Sequence, residues 1–478
     1  MQPEIHHSNN NDAKETESPQ TTRSLSPPSR LFRQSFLRNL GLGAALLVPG
    51  AALLSGSSKA LAANGRQRLT QGDENLSTTV PKGPKAITKL IKGGLFLLAL
   101  SAASSLQQLS YAQIAEAPGS SIFKVVQTPN IRPFPFHSDL AAVSASSGSD
   151  IWAVGQSGVH FDGLTWTAFA LPHIAGDLTS GISGVADLAP NNVWSVGNIN
   201  IGEQNPNQII EHFDGTRWSV SPGPSFQPTD QPTLEGLTAI SATNMWAAGA
   251  ILTTIGGFPS LFPLFEHFDG TSWTATIDES TLNGFIFGIS ADATNDVWAV
   301  GTVALGATFI EHFDGTAWSV VPSPSPGNGQ ITLFGVTAIA PNDAWAVGFF
   351  VEALNQDRPQ KTLIEHWDGT SWTVVPSPNV GGPNTQTISN QLRGVIAVSA
   401  NDVWAFGDTD RFGLSEITNL VLHWNGTAWS IVPSPDPNPR HTLIDDVIAG
   451  GTVIPQGNLW LVGVADGFGT MVLNAPGQ

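Results

Sequence analysis

Histidine and glutamate recur along this chain at regular intervals, and side chains of these types can bind metal ions or transfer protons. A histidine stands six residues before a tryptophan in six segments, at His160, His212, His267, His312, His366 and His423. Four of these histidines directly follow a glutamate, at Glu211, Glu266, Glu311 and Glu365. Because each copy belongs to a different repeat, we expect the copies to lie far apart and to have a structural role. They therefore predict no metal site, no cofactor and no paired-carboxylate centre.

A second set of polar residues lies in segments whose length and composition differ from one repeat to the next. Variable loops on a rigid scaffold are where binding residues concentrate. The predicted ligand-binding residues are Glu203, Asp230, Glu352, Asp357, Arg358, Asp408, Asp410, Arg411, Arg440 and His441. The alternative is that these residues are ordinary solvated surface charges.

The repeat that carries these residues is clearest in its tryptophans. A first tryptophan, in strings such as Val-Trp-Ala-Val-Gly, occurs seven times, at Trp152, Trp194, Trp246, Trp298, Trp345, Trp404 and Trp460. A second follows in six repeats, at Trp166, Trp218, Trp273, Trp318, Trp372 and Trp429. Because both series recur at a fixed register within apolar strings, we expect buried core rings rather than exposed platforms for sugars.

Fixed distances inside the repeat indicate two hairpins. A glycine stands ten residues before the first tryptophan in five repeats, at Gly184, Gly236, Gly288, Gly335 and Gly394, with an Asn/Asp turn between them. An Asp-Gly or Asn-Gly pair lies between the histidine and the second tryptophan, which predicts a tight turn with positive φ at both residues. Each repeat therefore has four strands, A to D, and the variable segments are the B–C and D–A loops.

Seven copies of four antiparallel strands, each copy about 50 residues long, predict an all-β, seven-bladed β-propeller. The glycine of strand A suits the crowded central axis. The last repeat ends after three strands, and Phe123–Thr128 resembles a fourth strand such as the one that begins at Trp372. We therefore expect the strand at 122–128 to complete the last blade and close the ring.

The strings Ile151-Trp-Ala-Val-Gly155 and His160-Phe-Asp-Gly-Leu-Thr-Trp166 resemble the repeats of Asp-box propellers, including the sialidase-like and photosystem-assembly-factor types, and those of kelch propellers. The resemblance covers residues 122–474 and implies the propeller architecture. A sialidase-like site would need a tyrosine nucleophile, but the one tyrosine, Tyr111, precedes the repeats. A galactose-oxidase-like site would need a Cys–Tyr crosslink, and the chain has no cysteine.

Charge narrows the range of partners. From residue 118 onward there are 8 basic and 31 acidic residues, a formal charge of about −23. Nucleic acid is excluded as an expected partner because its phosphates require clustered Lys and Arg. We expect a glycan or an envelope or extracellular protein as the partner, and a monomeric chain.

The first 117 residues indicate targeting rather than fold. Two apolar stretches, 40–54 and 93–103, each follow basic residues and precede a small-residue site, the order found in signal peptides. Both are shorter than the roughly 20 residues of a membrane span. The sequence predicts a secreted or cell-surface protein with its propeller at 118–478, and a membrane tether through the N-terminal segment is the alternative.

Two function classes follow from the sequence. The first is a non-catalytic recognition or scaffold propeller that binds a glycan or protein through its variable-loop face. The alternative is a polysaccharide-acting hydrolase or lyase with acidic residues at the mouth of the central channel. Two carboxylates roughly 5 to 10 Å apart in that mouth would favour the enzyme.

Overall fold

The structure is a computed structural model that describes residues 121–129, 139–156, 158–172, 181–200, 206–303, 306–352, 359–382, 386–411, 416–435, 437, 446–465 and 469–476. Residues 1–117, with both apolar stretches and their predicted targeting role, lie outside the described residues. Among the residues described there is no helix of the length and apolar character that a membrane span requires.

The described residues form seven four-stranded antiparallel sheets, which are the blades of the predicted propeller. The first strand, β1 (Lys124–Val125), belongs to the last blade. Blade 1 contains β2 (Leu140–Ser147), β3 (Asp150–Gly155), β4 (Gly158–Phe161) and β5 (Trp166–Phe169); blade 2 contains β6 (Gly181–Ala189), β7 (Asn192–Asn200), β8 (Pro206–Phe213) and β9 (Trp218–Val220); blade 3 contains β10 (Gln231–Ser241), β11 (Asn244–Ile255), β12 (Phe258–Phe268) and β13 (Trp273–Ile277).

The remaining blades repeat this arrangement. Blade 4 contains β14 (Phe285–Ala293), β15 (Asp296–Val303), β16 (Ala307–Phe313) and β17 (Trp318–Val320); blade 5 contains β18 (Ile331–Ala340), β19 (Asp343–Phe350), β20 (Lys361–Trp367) and β21 (Trp372–Val374); blade 6 contains β22 (Ile388–Ser399), β23 (Asp402–Arg411), β24 (Glu416–Trp424) and β25 (Trp429–Ile431); blade 7 contains β26 (Val447–Val453), β27 (Leu459–Ala465), β28 (Gly469–Ala475) and β1.

Strand A of each blade is innermost, and consecutive inner strands contact each other around the ring until β26 meets β2. The predicted crowding at the axis is confirmed. A Cβ atom added at Gly335 would lie 2.8 Å from the Cα of Gly394 in the next blade, and one at Gly288 would lie 2.7 Å from the carbonyl oxygen of Phe334. These glycines let the inner backbones approach more closely than a side chain allows.

The tryptophans fill the spaces between blades, as predicted. All seven of the first series are buried; six of them pack against a second-series tryptophan on the outer strand of an adjacent blade, and Trp404 packs against Phe123, just before β1. Trp298 and Trp372, for example, meet edge to face with ring centroids 5.2 Å apart, and Trp345 and Trp429 do so at 5.4 Å. Each sheet therefore buries both faces against its neighbours, which explains why strand B is apolar along its whole length.

Ring closure by the N-terminal strand is confirmed. Lys124 and Val125 pair with Asn474 and Leu473 of β28. Phe123, just before β1, occupies the place that the missing seventh outer tryptophan would take, because its ring meets Trp404 of blade 6 edge to face at 5.7 Å. The two ends of the ring are thus joined in one sheet.

The predicted conformation of the Asp-Gly turns is wrong. The C–D turn has four residues rather than two, since Phe161 pairs with Trp166, and Asp162 through Thr165 form the loop. Gly163 has φ +91°, but no described Asp or Asn of these turns has positive φ. Instead, Asp162 Oδ1 accepts hydrogen bonds from the backbone N–H groups of Leu164 and Thr165. The aspartate therefore stabilises the loop with its side chain.

Candidate functional site: the variable-loop face

The strand C histidines are fixed within their own blades. Each Nε2 bonds the Oδ1 of an Asp or Asn at the start of strand B, at 2.8 Å for His160 and Asp150 and 2.9 Å for His267 and Asn244. Each imidazole also packs on the first tryptophan of its blade. In blades 2 and 3, where the partner is Asn, burial lowers the pKa of the histidine. Among the described residues, no group of three or more His, Asp or Glu is arranged to hold a metal ion.

The glutamates that precede these histidines are buried between blades, at most 1% exposed. Burial raises the pKa of Glu266 and of Glu365 to about 8. Burial, together with the neighbouring Asp278 of blade 3, raises the pKa of Glu311 to about 9. The carboxyl groups of Glu266, Glu311 and Glu365 therefore favour the neutral form at pH 7, and each is confined to its own space between two blades.

The B–C and D–A loops emerge on the same face of the ring, because successive strands of each blade alternate in direction. Two blades extend beyond this face. Strand β11 of blade 3 continues six residues past Gly249, and β23 of blade 6 continues four past Gly407, whereas the other B strands continue three at most. At about 3.3 Å per residue, the two extensions rise roughly 20 Å and 13 Å.

The extension of blade 3, residues 250–263, is an apolar wall without a charged residue. Its strands join through Gly256 and Gly257, with φ +60° and +86°, so that Ile255 pairs with Phe258 at the tip. Ile255 is 46% exposed and Phe258 74%. Leu282 is also exposed, in a loop that bonds alongside β12 through Asn283 N–H and the Leu261 carbonyl. Exposed apolar residues grouped in this way are a candidate interaction surface.

The extension of blade 6, residues 388–391 and 408–411, is a polar wall. Asp408 is 2% exposed and accepts hydrogen bonds from Gln391 Nε2 at 2.8 Å and from Arg393 Nε at 2.6 Å. Beyond it, the hydroxyl groups of Thr409 and Thr418 bond across the strands at 2.8 Å. The carboxylate is thus compensated within its own blade, as a buried charge must be.

Between the two walls lies the mouth of the central channel. A β-bulge near the start of each described inner strand leaves one residue unpaired: Ala141, Ser183, Glu235, Phe287, Phe334, Arg393 and Ala449. These residues are partly exposed, whereas the residue before each is buried. Because neighbouring inner strands are in contact at this level, the bulge residues form a ring around the axis.

The bulge ring departs from the repeat in its chemistry. Glu235 and Arg393, in blades 3 and 6, lie on opposite sides of the axis. Phe287 and Phe334, from the two blades between them, contact each other with centroids 5.1 Å apart. Asn198 donates a hydrogen bond to Glu235 Oε1 at 3.1 Å, and burial raises the pKa of Glu235 to about 8. The mouth therefore presents a neutral carboxyl group, an aromatic pair and a guanidinium group held by Asp408.

The structure places the predicted binding residues in three ways. Asp230 lies in a loop, where it accepts a hydrogen bond from Thr253 of the apolar wall at 2.7 Å, and Glu352 pairs with Lys361 at 2.6 Å. Asp408, Asp410 and Arg411 lie on β23 and not in a loop, so their predicted loop placement is wrong. The strand continues there because its residues pair with β22 and β24. Outside the described residues lie Glu203, Asp357, Arg358, Arg440 and His441.

Sequence reasoning missed the bulge ring and the apolar tip. A signal for the ring was present in the residue just before the strand A glycine, which is Ser, Glu, Phe, Phe and Arg in the five repeats that have the glycine. A signal for the tip was Gly256-Gly257 between two apolar residues, which is typical of a two-residue hairpin. The predicted binding residues are all charged or histidine, so the prediction did not include the apolar Phe258.

Comparison with solved structures finds several proteins to which this chain is similar. YCF48 bound to D1 peptide is 13% identical with a TM-score of 0.46, covering 76% of this chain and 98% of that one. YCF48 from Cyanidioschyzon merolae is 14% identical with a TM-score of 0.44, covering 75% and 99%. The six-bladed fucose-binding lectin of Aleuria aurantia is 14% identical with a TM-score of 0.38, covering 62% and 97%. No protein-family model and no curated protein matches the sequence.

Proposed function

We propose that this chain is an exported recognition propeller that binds a protein through its variable-loop face, with the apolar wall as the principal contact. The observation that carries the proposal is the exposed tip of blade 3, where Ile255 and Phe258 lie on a hairpin, residues 250–263, that contains no charged residue. Exposed aromatic and aliphatic residues that become buried on association supply most of the binding energy of protein interfaces.

A protein partner is favoured over a glycan by the kind of apolar residue that is exposed. Sugar rings commonly stack on exposed tryptophan or tyrosine, but in the described part of the chain no tryptophan is exposed. The tip offers aliphatic side chains and one phenylalanine, which suit an apolar socket on another protein. The polar wall and the bulge ring then supply the hydrogen bonds and the charge that orient the partner.

One observation favours the alternative of a polysaccharide-acting enzyme. The raised pKa of Glu235 would leave it protonated near neutral pH, as a general acid requires. A second carboxyl group on this face, Asp408, belongs to the opposite wall and is paired with Arg393. Hydrolysis or cleavage of a polysaccharide that is abolished by Glu235→Gln would establish this alternative.

The test compares two single substitutions in the full chain, Phe258→Ser on the variable-loop face and Leu164→Ser on the opposite face. Both remove an exposed apolar side chain, since Leu164 is 87% exposed in the C–D turn of blade 1. The immobilised variants are exposed to extracted cell-envelope proteins and to a glycan array. We expect Phe258→Ser to lower protein retention about tenfold or more, a loss typical of an interface anchor, and Leu164→Ser to leave it unchanged.

Three outcomes would contradict the proposal. Equal losses from the two substitutions would place the contact elsewhere or show it to be non-specific. Retention of glycans alone, unaffected by Phe258→Ser, would favour a lectin. Retention of no protein by the unsubstituted chain would remove the recognition function itself.

A further inference from the structure

A cleft of about 530 Å³ lies on the outer part of blade 2, beside the apolar wall. Its floor is β8, and its rim is the loop 221–230 that leads to blade 3. Ile210, Val220 and Phe226 line it, together with three prolines of the loop. The polar residues of the lining are Asn207, Gln208, Ser221, Gln227 and Asp230.

The rim is held in place by its own hydrogen bonds. Ser221 N–H donates to the Ile210 carbonyl at 2.8 Å, and Gln227 N–H donates to Asp230 Oδ2 at 3.0 Å. Thr253 of the apolar wall donates to Asp230 Oδ1 at 2.7 Å. With proline restricting the backbone between these bonds, the cleft is formed before any ligand arrives, which reduces the entropy cost of binding.

Two polar groups of the cleft can accept hydrogen bonds from a ligand. Gln208 lies at the floor with its side chain beside Glu266 of blade 3, and its Oε1 has no hydrogen-bond partner among the described residues, an arrangement that costs free energy unless a ligand completes it. Asp230 is a carboxylate whose two oxygens can each accept a further hydrogen bond. The basic residue of blade 2, Arg217, lies in the C–D turn on the opposite face, so no described cation of this blade compensates the cleft.

We propose that this cleft binds a cationic side chain, arginine in preference to lysine, from an extended peptide. The apolar and proline-rich walls suit the methylene stem, and the ring of Phe226 suits the flat face of a guanidinium group. Gln208 Oε1 and the Asp230 carboxylate accept hydrogen bonds from the guanidinium N–H groups. These groups point outward in one plane and can therefore reach two acceptors that lie apart. The charge of about −23 from residue 118 onward attracts such a ligand from a distance.

The site goes beyond protein recognition at the two walls, because its ligand is a single side chain and its residues differ from those of the tip.

The test uses the full chain and three blocked tripeptides, acetyl-Pro-X-Pro-amide, with X as arginine, citrulline or glutamate. Citrulline has the shape of arginine without its charge. Calorimetric titration is expected to show the arginine peptide binding at least about tenfold more tightly than the citrulline peptide, a difference of about 1.4 kcal/mol, and no binding of the glutamate peptide.

Two substitutions with the same change in charge locate the site. Asp230→Asn removes the carboxylate of the cleft, and Glu279→Gln removes an exposed carboxylate from a loop of the same face. We expect Asp230→Asn to weaken the arginine peptide about tenfold and Glu279→Gln to leave it within about twofold, with the preference for arginine decreasing as salt is raised. Gln208→Leu, which keeps the side-chain volume and removes the acceptor, should also weaken binding.

The proposal is overturned if the arginine and citrulline peptides bind equally, if no peptide binds, or if Glu279→Gln weakens binding as much as Asp230→Asn. Phe258→Ser separates this site from the proposed protein contact. It should leave the affinity for the arginine peptide unchanged even where it abolishes retention of envelope proteins.

Discussion

A carboxyl group closed off from water between two β-sheets favours its neutral form. Glu266, Glu311 and Glu365 are in this position, and the pKa of each is raised to about 8 or 9 chiefly by burial. In the unfolded chain the pKa is near 4.5, so between pH 4.5 and 8 the native state binds more protons than the unfolded state. The pH-dependent part of the unfolding free energy that these groups contribute is fully present below pH 4.5 and is lost as the pH rises through 8.

Glu266→Gln should flatten this dependence. Glutamine keeps the shape of the side chain and cannot ionise, so the substituted chain no longer loses up to about 1.4 kcal/mol of unfolding free energy per pH unit through this group. We expect the melting temperature of the substituted chain to fall less than that of the original chain between pH 5 and pH 8. Thermal unfolding followed by circular dichroism at a series of pH values measures the difference.

Glu279→Gln provides the control. It makes the same change in charge and volume as Glu266→Gln, but at an exposed position. Its melting temperature should follow that of the original chain at every pH. Parallel profiles for Glu266→Gln and the original chain would mean that Glu266 does not titrate as its burial requires.

At the scale of the hairpin, the C–D turns combine a side-chain acceptor with a glycine in the left-handed region. In blade 5, Asp368 Oδ1 accepts hydrogen bonds from the N–H groups of Thr370 and Ser371 and from the Thr370 hydroxyl. The hydroxyl contributes most, followed by the backbone groups, and together they lower the pKa of Asp368 to about 2. The turn is therefore stabilised above pH 3.8, and this contribution is lost as the pH falls through 2.

Gly369→Ala should destabilise the chain for two separable reasons. Gly369 has φ +91°, which costs an alanine roughly 1 kcal/mol, and an added Cβ would lie 2.8 Å from the Cβ of Asn342 in the A–B turn. Gly257→Ala is the matched control, because Gly257 has φ +86° and nothing within 4 Å of an added Cβ. We expect urea denaturation to show a larger loss of unfolding free energy for Gly369→Ala. Equal losses would mean that the two turns do not press on each other.

At the scale of the ring, one contact between blades 6 and 7 joins residues 281 positions apart, Phe123 and Trp404. Phe123 is 3% exposed and packs in the cluster that joins blade 6 to blade 7. In the other blades a tryptophan of the outer strand fills this space. Closure of the ring therefore depends on a segment of only a few residues at the start of the propeller.

Phe123→Ala should lower the unfolding free energy by about 3 to 5 kcal/mol, as expected for removal of a buried aromatic ring. Lys124→Ala, at the next position of the same short segment, removes an exposed side chain and should have little effect. Removal of residues 122–129 should be more severe than either. An unchanged melting temperature after Phe123→Ala or after the deletion would argue against closure by this strand.

The number of blades, the strand order and the closing strand could be predicted from short sequence patterns within each repeat. Tryptophans at a fixed register, Asp-Gly pairs and the glycines of strand A each reflect a requirement that every blade meets in the same way, so seven copies reinforce one another. The length of the C–D turns, four residues rather than two, could not be predicted from the Asp-Gly pair, because it depends on the hydrogen bonds that the Asp side chain makes to the turn.

The residues of the variable-loop face were harder to predict because they belong to the segments that the repeats do not share. Asp408 has the composition of a loop residue, yet pairing with β22 and β24 extends the strand through it and turns its carboxylate toward Arg393. Glu235, Phe287, Phe334 and Arg393 are separated by about 50 residues or more along the chain and become one ring only when the inner strands meet at the axis. Periodicity along a chain specifies each blade, whereas the juxtaposition of different blades arises only from closing the circle.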